Sequence, residues 1–202
     1  MKLNSLLIAA GFSSRMGRFK PLLLYKNEPI IISILKKLKT ISDKIVIVTG
    51  FKEKELILSV KKYFPNSELS EKIVFISNPN FEKGMFTSLQ KGLEEVKNCD
   101  WLLYHFVDQP NLPQSFYLEF ISKIDERSDW IQPAFEEKKG HPILIRRSLF
   151  NCIIEANENS SLKELVNNRK VNKKIWDCNY IEILGDIDTP EDYNVLIRNS
   201  DY

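Results

Sequence analysis

The sequence predicts a three-layer α/β/α, Rossmann-like domain built on a mainly parallel sheet. Three observations lead there. Strand-like and helix-like segments alternate along most of the chain, the order that produces parallel strands covered by helices. The strand candidates are continuous apolar runs rich in β-branched residues, as strands buried on both faces require. The first of these runs, residues 6–9, stops at a glycine that opens a polar, cationic loop.

Each element follows from its pattern. After the first strand and its loop, Pro29 opens a helix with Ile31, Ile34, Leu35, Leu38 and Ile41 on one stripe. Residues 45–48 form a second buried strand ending at Thr49-Gly50, and residues 53–64 a helix closed by Pro65-Asn66. Residues 73–76 are a third strand. Leu89, Leu93 and Val96 share the face of the next helix, with Thr87 or Ser88 placed to cap it. Residues 101–107 give a fourth strand with Asp108 at its carboxyl end, and Pro113 begins another helix carrying Tyr117, Phe120, Ile121 and Ile124. Beyond Trp130 the pattern changes. Two strands, 130–135 and 142–145, flank the polar turn 136–140, helical stretches follow at 148–155 and 162–166, and a late strand at 181–184 precedes a helix over 192–199.

Composition narrows the function. A chain of 202 residues without linker or repeat reads as one domain over 1–202. Its 29 basic and 27 acidic residues leave a formal charge of +2, which implies no nucleic-acid partner. Cys99, Cys152 and Cys178 are too scattered for a disulfide framework or a zinc site, so the chain reads as cytoplasmic with reduced thiols. No apolar run approaches the roughly 20 residues that span a bilayer. The stretch 3–10 after Lys2 is short and lacks a cleavage site, so it does not read as a leader.

The loop after the first strand supplies Ser13, Ser14, Arg15, Gly17, Arg18 and Lys20. Gly11 permits a sharp turn, turned backbone N–H groups make anion-binding concavities, and Arg15 and Lys20 add charge-assisted contacts. Polyphosphate suits such a loop. It is neither a Walker A loop nor a Gly-x-Gly-x-x-Gly turn, and solvated cations on an ordinary turn explain the same residues. Asp108, Asp186 and Asp188 are each ordinary turn formers when taken alone. Thr189-Pro190-Glu191-Asp192 reads as a helix start, with Thr189 capping and acidic residues favouring the dipole. Taken together, two carboxylates facing a basic loop suit Mg²⁺, which takes one or two carboxylates plus phosphate oxygens and water. In open α/β sheets ligands bind beyond the carboxyl ends of strands, where the Gly11 loop and Asp108 both belong. His105, inside a strand, reads as a packed core residue; His141 reads either as turn structure or as a ligand contact. Trp101, Trp130 and Trp176 read as core or interface.

Residues 7–23, Leu-Ile-Ala-Ala-Gly-Phe-Ser-Ser-Arg-Met-Gly-Arg-Phe-Lys-Pro-Leu-Leu, resemble the signature of the MobA/MocA-like nucleotidyltransferases, in particular the molybdenum cofactor cytidylyltransferase branch. Four further segments agree in order: residues 84–89, Asp108-Gln109-Pro110, Gly140-His141-Pro142 and residues 186–192. The resemblance therefore spans almost the whole chain. It implies a fold of the nucleotide-diphospho-sugar transferase type, with a late antiparallel strand in the sheet.

The resemblance also implies roles. Arg15, Lys20 and Asp108 are the catalytic set; Ala9, Ala10, Gly11, Ser13, Arg15, Lys20, Gly84 and Ser88 bind the nucleotide. Asp108 and Asp188 hold Mg²⁺, and His141 borders the acceptor. Ala9-Ala10-Gly11 is the form associated with cytosine, so the donor is CTP and the acceptor a phosphorylated small molecule, molybdopterin or the molybdenum cofactor. The acceptor phosphate attacks the α-phosphorus and pyrophosphate leaves. A phosphate nucleophile needs no base at neutral pH, which fits the lack of a catalytic histidine. The implied partners include transient contact with a molybdoenzyme or its chaperone. The chain departs from the family at Phe86, where a small residue is usual, and at Glu158-Asn159-Ser160-Ser161-Leu162, which replaces a Gly-Asp-x-Gly-Ala-Arg stretch on the acceptor side. The alternatives are a sugar or alcohol phosphate acceptor, GTP as donor, or a non-catalytic nucleotide-binding partner in cofactor insertion.

Overall fold

The structure, a computed structural model, describes residues 1–167 and 169–199. Strand β1 (Leu3–Ile8) enters the loop of residues 9–19, and a short hairpin, β2 (Leu24–Tyr25) and β3 (Glu28–Pro29), leads into α1 (Ile30–Leu38). Next come β4 (Lys44–Thr49), α2 (Glu53–Tyr63), α3 (Glu68–Lys72), β5 (Ile73–Ser77), α4 (Met85–Val96) and β6 (Trp101–Phe106). Helix α5 (Gln114–Ile121) precedes β7 (Trp130–Phe135), β8 (Lys138–Lys139) and β9 (Ile143–Arg146). Helices α6 (Phe150–Ile154) and α7 (Leu162–Asn167), strand β10 (Lys173–Asp177) and helix α8 (Pro190–Arg198) complete the described chain.

The main sheet has the order β10-β7-β9-β6-β1-β4-β5, with β8 paired to β7. β1 runs parallel to both β4 and β6, and β9 is antiparallel to both β6 and β7. Mainly parallel with a late reversed strand is the predicted arrangement. All of β1 is buried, and its alternate side chains feed two cores. Leu3 and Leu7 join the residues under α1, α2 and α5; Leu6 and Ile8 join those under α4 and α6. Three layers result.

The chain leaves β1 toward β4 and returns on the other side at β6, so the strand order reverses between β1 and β6. Both strands end at the same edge, where a crevice opens.

Four local expectations need correction. Residues 181–184 form a 3-10 turn, not a strand, because the Ile183 carbonyl is taken by the Gln109 side chain and the His141 amide. The last strand is instead β10, parallel to β7; its Lys-Lys-Ile-Trp-Asp sequence hides the pattern, since edge strands carry charge. Helix α4 starts at Met85 without a side-chain cap, while the Thr87 hydroxyl donates to the carbonyls of Gly84 and Asn80. Helix α8 begins at Pro190, the start that Thr189 as its cap requires, and not at residue 192. The capping of that helix is as expected: Thr189 accepts from the Asp192 amide, and Asp192 Oδ2 accepts from the Thr189 amide. Trp101, Trp130 and Trp176 are all buried in the core, and His105 is fully buried with its Nε2 2.7 Å from the Tyr117 hydroxyl.

Candidate active site

The loop after β1 is held in shape by its own backbone and by two core anchors. The Ser13 carbonyl accepts from the amides of Met16 and Gly17, each at 3.1 Å, and Ser13 Oγ accepts from the Lys20 amide at 3.2 Å. Ser13 itself takes a left-handed conformation, with φ of 55°. Met16 and Phe19 are buried, pinning the loop to the core. Gly11 marks the open side: a Cβ built there meets nothing within 4 Å. The backbone can therefore be approached by a ligand at the point where the strand ends.

Lys20 is the unusual residue. Its side chain is 9% exposed, and its Nζ lies 3.0 Å from Asp188 Oδ1 and 3.7 Å from Asp108 Oδ2. The two carboxylates, far apart in sequence, thus converge on one cationic centre. Arg15 reaches Asp188 Oδ2 at 3.0 Å from a largely exposed position, so it is free to exchange this partner for another anion. Asp108 Oδ1 is buried and has no hydrogen-bond partner among the described residues. Burial pushes the Asp108 carboxyl up to about 6, against the opposing pull of the Lys20 ammonium and with the Asp186 carboxylate adding to the rise. A buried carboxylate oxygen without a donor, beside a second carboxylate that already faces a cation, is a fitting ligand set for a hard divalent ion. The residues fit a divalent cation.

These groups line a cleft of about 240 Å³ together with Ile8, Ala9, Gly11, Ser13, Met85 and Phe106. Among the expected residues, Ala9, Gly11, Ser13, Arg15, Lys20, Asp108 and Asp188 come together there. The others stand apart from the lining. The Ala10 carbonyl accepts from the Phe51 amide, tying the turn to β4. Gly84 precedes the lining residue Met85, at the start of α4. Ser88 is buried, and its hydroxyl accepts from Asn78 Nδ2 at 2.9 Å; it braces the segment before α4 and does not face the cleft. His141 stands behind the wall, its ring edge-to-face with Phe106 at 4.8 Å. Burial lowers its imidazole to about 4, so it is neutral at physiological pH.

Gln109 and Asp186 lie in the matched segments 108–110 and 186–192, but sequence reasoning assigned neither a role; in the structure they support the cleft from beside its lining. Gln109 is fully buried and donates to Asp186 Oδ1 at 2.8 Å. The signals for it were its place beside Asp108 and the matched Asp108-Gln109-Pro110 segment.

A cationic loop after the first strand of an α/β sheet, with carboxylates meeting it across the strand-order reversal, is the architecture of a nucleotidyltransferase, an enzyme class. More specifically, the chain belongs to the MobA-like NTP transferase domain family, whose model matches residues 5–173. It is 28% identical over 192 residues to molybdenum cofactor cytidylyltransferase of Escherichia coli strain K12, covering 95% of this chain and 93% of that protein. Among solved structures, Rv0371c from Mycobacterium tuberculosis H37Rv superposes with a TM-score of 0.81 at 19% identity, covering 98% of both chains. A complex of Rv0371c with manganese gives a TM-score of 0.76 at 17% identity, over 98% of this chain and 99% of that one.

Among the described residues, no helix is long and apolar enough to cross a membrane.

Proposed function

We propose that the cleft transfers CMP from CTP to the terminal phosphate of a small-molecule acceptor of the molybdopterin type, releasing pyrophosphate. The observation that carries this reading is the convergence of Asp108 and Asp188 on the Lys20 ammonium beside an open glycine turn. Similarity to a cytidylyltransferase supports the choice of base.

In this reading Ala9 lines the cleft, its amide held by the Val48 carbonyl, and the Ala10-Gly11 turn and Ser13 bring backbone close to the nucleotide. Gly84 keeps the entrance to α4 open, and Ser88 acts on the site indirectly, through Asn78. Lys20 and Arg15 offset triphosphate charge, Arg15 by leaving Asp188. Asp108 and Asp188 would hold Mg²⁺, which when bound supplies charge neutralisation at the phosphates. An oxygen of the acceptor phosphate forms the new bond to the α-phosphorus. The bond from the α-phosphorus to its bridging oxygen breaks, and the electron pair leaves with pyrophosphate. Such a transfer depends mainly on positioning and on preorganised charge. Lys20 meets both needs, because its near-burial fixes it before substrate arrives. Neutral His141, behind Phe106, orients the acceptor side of the cleft. The reading includes transient contact with a molybdoenzyme or its chaperone, which would receive the product.

The test is pyrophosphate release with each nucleoside triphosphate, Mg²⁺ and a panel of acceptors that includes molybdopterin, a sugar phosphate and an alcohol phosphate. Release with CTP and the pterin is the expected outcome. Turnover with a sugar phosphate and never with the pterin would transfer the assignment to the alternative acceptor, while turnover restricted to GTP would overturn the base.

A further inference from the structure

The two carboxylates of the site belong to segments that meet only in the folded chain, so something must set the gap between them. We propose that Gln109 is the positioning residue that does so. This rests on the reading that Asp108 and Asp188 share a divalent cation.

Gln109 directly follows Asp108 and is fully buried. Its Nε2 donates to the Ile183 carbonyl at 2.9 Å and to Asp186 Oδ1 at 2.8 Å, while its Oε1 has no partner among the described residues. Both acceptors lie on the segment that ends at Asp188. A main-chain bond completes the seam, with the Ile187 amide donating to the Asp108 carbonyl at 2.9 Å. From the far side, the Asp188 amide donates to Asp192 Oδ2 at 3.0 Å, so Asp188 is held between two anchors. Lys37 Nζ donates to the Pro110 carbonyl and fixes the exit of the Asp108 loop against α1.

The arrangement is asymmetric. The Ile183 carbonyl keeps a second donor, the His141 amide at 3.2 Å, if Gln109 is removed. Among the described residues, Gln109 is the side chain that donates a hydrogen bond to the Asp186 carboxylate. Loss of the amide therefore costs the fold little and the acidic segment much. A metal site needs ligand atoms held within about 0.5 Å by partners of this kind.

The experiment uses Gln109→Met and Gln109→Glu, which keep the side-chain length. Two quantities are read on the nucleotide-free protein: Mn²⁺ affinity by electron paramagnetic resonance titration, and hydrogen exchange of the Ile187 amide against amides of β1. Gln109→Met is expected to speed Ile187 exchange about tenfold, leave β1 unchanged and weaken Mn²⁺ binding about tenfold. Gln109→Glu, which sets a carboxylate against Asp186, is expected to do more of both. A purely space-filling role leaves both quantities at wild-type values in both variants, and that result overturns the proposal. If wild type binds Mn²⁺ no better than Asp108→Ala, the shared-cation reading fails, and Ile187 exchange alone still decides whether Gln109 ties the two segments.

Discussion

The parallel strands β4, β1 and β6 and the mixed strands β9, β7 and β10 contribute to the same cleft in different ways. From the first group come three of the four charged groups: the loop after β1 brings Arg15 and Lys20, and the end of β6 brings Asp108. From the second come the surfaces against which those groups are set. His141 precedes β9 and backs Phe106; Gly140 lies against the 3-10 turn of residues 181–184, from which Asp186 and Asp188 follow. Parallel strands buried on both faces end in loops that local sequence can shape completely. The mixed half instead positions a distant carboxylate by close packing, which no local segment specifies. One half carries most of the charge and the other sets the distance to its remaining carboxylate, Asp188.

The most damaging changes strike the charge-bearing half. Asp108→Ala is expected to lower kcat by about three orders of magnitude, and Lys20→Met by about two to three, the range for losing one preorganised group at a developing charge. Arg15→Met is expected to cost less than Lys20→Met, since Arg15 is largely exposed and Lys20 is held rigid by burial. Steady-state pyrophosphate release measures all three. Equal losses for Arg15 and Lys20 would mean that burial confers no advantage and that the preorganisation argument is wrong.

A pair of glycines separates the two halves more sharply. A Cβ at Gly92 in α4 would lie 2.2 Å from Leu6 Cδ1 in the core under β1, whereas one at Gly140 would lie 2.4 Å from the Ile183 carbonyl oxygen. Both alanine variants should lose about 1–3 kcal/mol of stability by overpacking. Gly140→Ala should also lower kcat about tenfold to a hundredfold, because it shifts the turn that leads to Asp188 and small misplacements are costly. Gly92→Ala should keep kcat near wild type. Chemical denaturation and kinetics on both variants decide the matter; matching kinetic losses would erase the distinction between charge-bearing and distance-setting regions.

The same division explains what could be seen in the sequence. The β1 loop was legible because its apolar run, glycine and cations are contiguous, and Asp108 because an apolar strand points to it. The helix start at Thr189 was legible from its capping box. β10 was not, since an edge strand of lysines around one buried tryptophan carries no apolar period. Residues 181–184 misled for the converse reason: three apolar side chains imitate a strand, yet Ile181 is exposed and only Ile183 is buried. Ser88 has the sequence context of a ligand contact, but it is buried and accepts a hydrogen bond from Asn78, ten residues earlier, a packing that no local pattern shows. The role of Gln109, though it stands in a matched segment, was not legible because its partners, Ile183 and Asp186, are tertiary.

The smallest effect concerns the cost of keeping Asp108 ionised. Its carboxyl rises from 3.8 to about 6 in the folded protein, so between those pH values the native state holds a proton that the unfolded chain has lost. Stability then falls as pH rises through that window, and the full cost persists above about pH 6. A carboxamide at this position cannot titrate, so Asp108→Asn should be the more stable protein at pH 7, by roughly 1–2 kcal/mol or about 2–6 °C in Tm, once partial exposure and the Lys20 contact are allowed for. With chelator present, the Tm gap should close as pH is lowered from about 6.5 to about 4, where both side chains are neutral in the folded protein. Added Mg²⁺ should narrow the gap at pH 7 by stabilising wild type alone, since a cation that binds only the native state raises its stability. A gap independent of both pH and Mg²⁺ would mean that Asp108 bears no burial cost for a cation to offset, and that the charge-bearing half of the molecule is no more strained than the half that sets distances.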